Sequence, residues 1–95
     1  MAKKSKTKAE KQHLTRVAEL GCVICQRPAN IHHLLRGKGT GQKASHYETI
    51  PLCHEHHQGG GIGVAIHAGI ESWEARWNTE DHYLKLVHDA LGLNT

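Results

Sequence analysis

Two pairs of soft donors stand at the same spacing: Cys22-Val23-Ile24-Cys25, and Cys53-His54-Glu55-His56 with His57 immediately after it. A C-x2-C or C-x2-H turn offers two ligand atoms from one tight loop, and a tetrahedral ion takes four donors from two such loops. Cys22, Cys25, Cys53 and His56 are therefore the candidate ligands of a structural Zn2+, with His54 and His57 as alternatives for the fourth position. Between the pairs lies a double histidine, His32-His33. Imidazole titrates near about pH 6.5 and serves either as a metal ligand or as a general base. Metal-assisted phosphodiester hydrolysis needs both, an ion to polarise the phosphate and a base to activate water. Neighbours on a strand point to opposite faces, so His32 and His33 are expected to divide the work. One would share an ion with His57 and the other would act as base. The run His54-Glu55-His56-His57-Gln58 is not the H-E-x-x-H of zinc peptidases, because Gln58 stands where the second histidine belongs.

Those residues sit in a chain of 95 that fits one small domain. Phe is absent, and two Trp and two Tyr leave a small apolar core that a bound metal would reinforce. Three cysteines cannot all pair within the chain, and no signal-like apolar stretch precedes them. Both features point to a reducing, cytoplasmic setting. No apolar run reaches the roughly 18 residues of a membrane span. The net charge is +3, and its placement says more: Lys3, Lys4, Lys6, Lys8 and Lys11 crowd the start, while Arg36, Lys38 and Lys43 follow the double histidine. A basic arm and a basic loop suit a polyanion such as DNA, since each neutralised phosphate releases counterions. The bland alternative is a solubilising tail.

Positioning falls to short elements. Residues 1–8 read as a basic, disordered arm and 9–95 as one domain. A helix is expected from about Ala9 to Leu20, with Leu14, Val17, Ala18 and Leu20 near helical spacing and Gly21 as its stop. Residues 30–35 and 47–52 read as two strands, joined through the glycine-rich basic loop Arg36–Lys43. His54–Gln58 starts a short helix that Gly59-Gly60-Gly61 ends. The stretch from Gly59 to Gly69 reads as a compact loop leading to His67. Ser72 is the expected cap of a helix carrying Trp73 and Trp77, both read chiefly as packing residues. Thr79 caps a last helix, with Glu80 and Asp81 placed to complement its dipole. Tyr83, Leu84, Val87 and Leu91 form its apolar stripe.

The set Cys22-x2-Cys25, His32-His33 and Tyr-Glu-Thr-Ile-Pro-Leu-Cys53-x2-His56-His57 resembles the HNH, or ββα-metal, endonucleases with zinc knuckles. Within them it is most similar to the phage Ref-like recombination-enhancement branch of RecA-dependent nucleases, over roughly residues 10–78. The resemblance implies a small α+β, zinc-stabilised ββα-metal core flanked by N- and C-terminal helices. It implies a metal-dependent DNA endonuclease of a phage or prophage, at work in a bacterial cytoplasm. By the same resemblance His32 and His57 hold a catalytic ion (Mg2+, Mn2+ or Zn2+) and His33 is the general base. Glu48 stands where that family has its middle Asn, so His46 becomes the candidate to orient the base or to act as a ligand. His67 is the candidate third ligand, with a phosphate contact or a plain surface role as alternatives. Lys3, Lys4, Lys6, Lys8, Arg36, Lys38 and Lys43 would contact DNA. A RecA-type filament and a homodimer are the implied partners, and a zinc-containing nucleic-acid-binding module without catalysis is the rival. With no aspartate near the expected site, an imidazole set should hold Mg2+ less well than softer ions.

Overall fold

The computed structural model describes residues 6–35 and 44–93. In chain order the elements are α1 (Lys8–Glu19), β1 (Asn30–His33), β2 (Thr49–Leu52), a π-helical turn (Glu55–Gly59), a 3-10 turn (Ile66–Ala68), α2 (Ile70–Arg76) and α3 (Glu80–Ala90). This is an α+β arrangement in which one antiparallel hairpin is surrounded by helices and loops. Among the described residues no helix is long and apolar enough to cross a membrane.

The first helix begins one residue earlier than its apolar pattern suggests. Thr7 accepts the Glu10 amide at 3.1 Å, and Glu10 accepts the Thr7 amide at 2.8 Å. This capping box satisfies two donors at the helix start and draws Lys8 out of the expected arm into α1. His13 and Val17 form its buried face, whereas Leu20 lies on the exposed rim. Gly21 ends the helix at φ +81°, and a Cβ there would meet the Gln26 carbonyl oxygen at 2.8 Å. Only glycine fits that close return of the chain.

The hairpin pairs His32 with Ile50 and Ile31 with Pro51. Both strands are shorter than expected, and the hydrogen bonds say why. Leu34 still donates to the Glu48 carbonyl at 3.1 Å, but the Leu35 amide turns to the Glu80 carboxylate at 3.0 Å. On the other strand, the Glu48 and Tyr47 amides are taken by Ser45, so residues 45–48 form a turn. All four residues of β2 are buried. Val23 of the first knuckle donates to the Pro51 carbonyl at 3.0 Å, which fastens that knuckle against the hairpin.

Beyond β2, the Gly60 amide reaches back five residues to the Glu55 carbonyl at 2.9 Å, giving the widened turn that carries His56 and His57. Ser72 is not the cap of α2. The helix starts at Ile70 after Gly69, and the Ser72 hydroxyl donates to the Gly69 carbonyl at 3.1 Å from within the first turn. Trp73 is fully buried and meets Tyr83 edge-on at 5.6 Å, while Trp77 falls at the helix end. Thr79 caps α3 by accepting the His82 amide at 3.1 Å. The Arg16 guanidinium donates to the Leu91 carbonyl at 3.1 Å, where a helix C-terminus favours a cation. Val17, Ile50, Leu52, Ile66, Trp73 and Val87 form the centre of the core, and Cys22 and Cys53 lie within the same cluster. Each aliphatic side chain so buried contributes about 1.5–3 kcal/mol.

Candidate metal centres

The first centre joins two loops. Cys22 and Cys25 lie on the turn that follows α1, Cys53 directly follows β2, and His56 comes one turn later. Their ligand atoms all lie within 4.8 Å of one another. Cys25 Sγ is 3.6 Å from Cys53 Sγ, and His56 Nδ1 is 3.1 Å from Cys53 Sγ and 3.7 Å from Cys22 Sγ. A zinc tetrahedron with Zn–S near 2.3 Å has sulfur–sulfur edges of roughly 3.8 Å and sulfur–nitrogen edges of roughly 3.5 Å, so these donors fit such an ion. The cysteines form no disulfide. The Ile24 amide donates to Cys22 Sγ at 3.4 Å. Burial is the main cause that lowers the His56 pKa, and Arg27 and Arg76 add to it against the opposing pull of Glu55. The ring is thus neutral and available as a ligand. Of the alternatives for the fourth place, His54 is exposed and packs beside Gly59, and His57 faces a different set. Arg27 and Glu55 bridge the two knuckles at 3.4 Å, an exposed pair of little energetic weight.

The second centre is made of imidazoles alone. His32 from β1, His57 from the π-helical turn and His67 from the 3-10 turn bring one nitrogen each within 4.8 Å of the others. His57 Nε2 and His67 Nε2 are 3.0 Å apart, and the His32 ring stands edge-on to both at 5.1 and 5.2 Å. His32 is 1 % exposed, and its Nδ1 has no hydrogen-bond partner among the described residues. A buried nitrogen without a partner is costly, and a cation placed among the three rings would satisfy it. The His57 pKa is lowered to about 4, first by burial and then by His32, His67 and His54. That of His67 is lowered chiefly by burial and by His32, against the pull of Glu80. Both rings therefore offer lone pairs at neutral pH. Three nitrogens suit a borderline cation such as Zn2+ and leave further coordination positions to water or a ligand.

Strand alternation separates the paired histidines. His32 is buried, while the partly exposed His33 places Nε2 3.0 Å from His46 Nδ1. One ring donates to the other. Glu48, at the position where the resemblance expects Asn, accepts the Ser45 amide at 2.9 Å. Lys6 and Lys8 are exposed, whereas Lys3, Lys4, Arg36, Lys38 and Lys43 lie outside the described residues.

One participant escaped sequence reasoning. Glu80 is 1 % exposed, and its Oε2 lies 2.7 Å from His32 Nε2. The sequence offers only the Thr79 cap with an acid after it, a pattern that reads as an exposed helix start. So a carboxylate does reach the imidazole set, although no aspartate does.

A family model described as "Protein of unknown function (DUF968)" matches residues 1–93. No curated protein and no solved structure matches the chain.

Proposed function

The chain belongs to the DUF968 family, and from its second centre we propose that it is a metal-dependent endonuclease hydrolysing phosphodiester bonds in DNA, on an HNH-like ββα-metal plan. The observation that carries this reading is the division of the histidines. His32, His57 and His67 converge on one point, while His33, next to His32 on β1, is held against His46 instead. An ion bound by the three imidazoles would supply Lewis acidity at a phosphate oxygen and steady the leaving oxygen. His33 would take the proton of the attacking water, and His46 would orient its ring and share the proton taken up. Lys3, Lys4, Lys6, Lys8, Arg36, Lys38 and Lys43 would neutralise neighbouring phosphates without reading sequence. The Cys22–Cys25–Cys53–His56 centre would hold the hairpin to the turn that carries His57.

The test is cleavage of single- and double-stranded DNA with Mg2+, Mn2+ or Zn2+ supplied. Replacing His33→Ala is expected to reduce the rate by about 10²–10⁴, with folding and DNA affinity retained. Unchanged cleavage in that variant would refute the assignment of the base. Adding a RecA-type filament to the same assay tests the recombination partnership, and sedimentation with and without DNA tests a homodimer.

A second reading is favoured by the completeness of the first centre: four donors from two knuckles make a closed structural site that needs no second ion. On this reading the chain is a non-catalytic zinc module that binds nucleic acid. Salt-dependent DNA binding with no cleavage under any of the three metals would select it.

A further inference from the structure

The contact between α3 and β1 has a consequence for the histidine centre. We propose that Glu80 is its positioning residue, holding His32 in the Nε2–H tautomer so that Nδ1 is presented to the cation. This rests on the three-histidine metal centre of the preceding section and not on hydrolysis.

The carboxylate is not placed by chance packing. It enters at the first residue of α3, and Thr79 fixes that start by capping the helix. The Glu80 amide donates to Glu74 Oε2 at 2.8 Å, and its own oxygens accept the Leu35 amide at 3.0 Å. A buried carboxylate persists only where donors surround it, and His32 Nε2 at 2.7 Å is a further donor. The opposite tautomer would set a nitrogen lone pair against a carboxylate oxygen and leave an Nδ1–H buried with no acceptor among the described residues. Hydrogen bonding thus selects Nε2–H, and the remaining lone pair lies on Nδ1, the buried nitrogen without a partner. A carboxylate behind a ligating imidazole fixes ring and tautomer and raises ligand basicity, and losing such a partner costs about 10–100-fold in metal affinity. His32 has this support from the Glu80 carboxylate, which makes it the anchoring ligand for a divalent cation of borderline softness.

The experiment uses full-length protein with Zn2+ in the cysteine centre and titrates Co2+ into the histidine centre, followed by its ligand-field absorption. Glu80→Ala should weaken Co2+ binding by about 10–100-fold and Glu80→Gln by less, with the zinc of the cysteine centre retained in both. Nitrogen-15 correlation spectra before Co2+ addition should show His32 protonated at Nε2 in the wild type and shifted toward Nδ1–H in Glu80→Ala. Glu80→Gln keeps the side-chain volume and serves if the alanine variant fails to fold. Wild-type His32 protonated at Nδ1, or Co2+ affinity in both folded variants within about twofold of wild type, would overturn the proposal. A purely structural Glu80 would lower the melting temperature while leaving tautomer and affinity alone. Absence of Co2+ binding in the wild type would instead remove the histidine centre itself, and the proposed function with it.

Discussion

The cysteine centre draws four donors from two tight loops, each loop supplying a pair, whereas the histidine centre gathers three donors singly from a strand, a π-helical turn and a 3-10 turn. Two of the cysteine ligands belong to the hydrophobic core, and no coordination position of a tetrahedral ion would be left open. The histidine centre has one fully buried member, His32, while His67 is exposed, so a bound ion would keep positions facing outward. Closed sulfur-rich sites hold folds together, and open nitrogen sites are suited to chemistry. The same small chain thus carries two candidate metal centres that differ in donor type and in donor number.

The largest effect should follow from damage to the closed centre. Cys25→Ser replaces a thiolate by a poor zinc ligand, and structural zinc contributes an apparent 10–16 kcal/mol, about the whole stability of such a domain. Loss of bound zinc and of the cooperative thermal transition in far-UV dichroism is expected. A wild-type melt would erase the distinction between the two centres. His57→Ala removes a direct ligand of the open centre, so the second ion should be lost by more than the roughly 10–100-fold cost of an outer partner. Elemental analysis should then find the zinc of the cysteine centre intact and the fold unchanged.

Acid sharpens the comparison further. His13, His56, His57 and His67 all have lowered pKa values, with burial the leading cause in each. The folded chain therefore binds fewer protons than the unfolded chain below the ordinary histidine value. The associated stability is complete above about pH 6.5 and declines as pH falls, with the His57 part running down to about 4. Urea midpoints measured across that window should fall with acidification. His13→Gln, which touches neither centre but removes a buried ring packed at a tilt against Tyr47, 4.7 Å between centroids, should flatten part of the slope. The smallest change is Thr7→Ala, which breaks the capping box and costs about 1 kcal/mol. Both metal affinities should stay at the wild-type level, and any weakening would show that α1 is coupled to the centres.

The closed centre was legible in the chain because its information is local. Residues three apart on a tight loop place their donors together whatever the rest of the molecule does, and Gly21 and Gly59-Gly60-Gly61 mark where those loops begin and end. The helices at both termini were readable for the same reason, through apolar spacing and the Thr79 cap, while the capping box at Thr7 shifted the start of α1 by one residue and α2 starts three residues before the Ser72 cap implies, at Ile70. The π-helical form of the His57 turn left no signal, since it depends on which carbonyl the Gly60 amide reaches. What the sequence alone determined is which residues carry sulfur and imidazole and how they pair along the chain. Tertiary structure decided the rest: that His56 and not His54 completes the first set, that His67 swings in beside His57, and that Glu80 is buried against His32. The contact between Glu80 and His32 exists only once α3 docks on the hairpin, and no spacing rule encodes that docking.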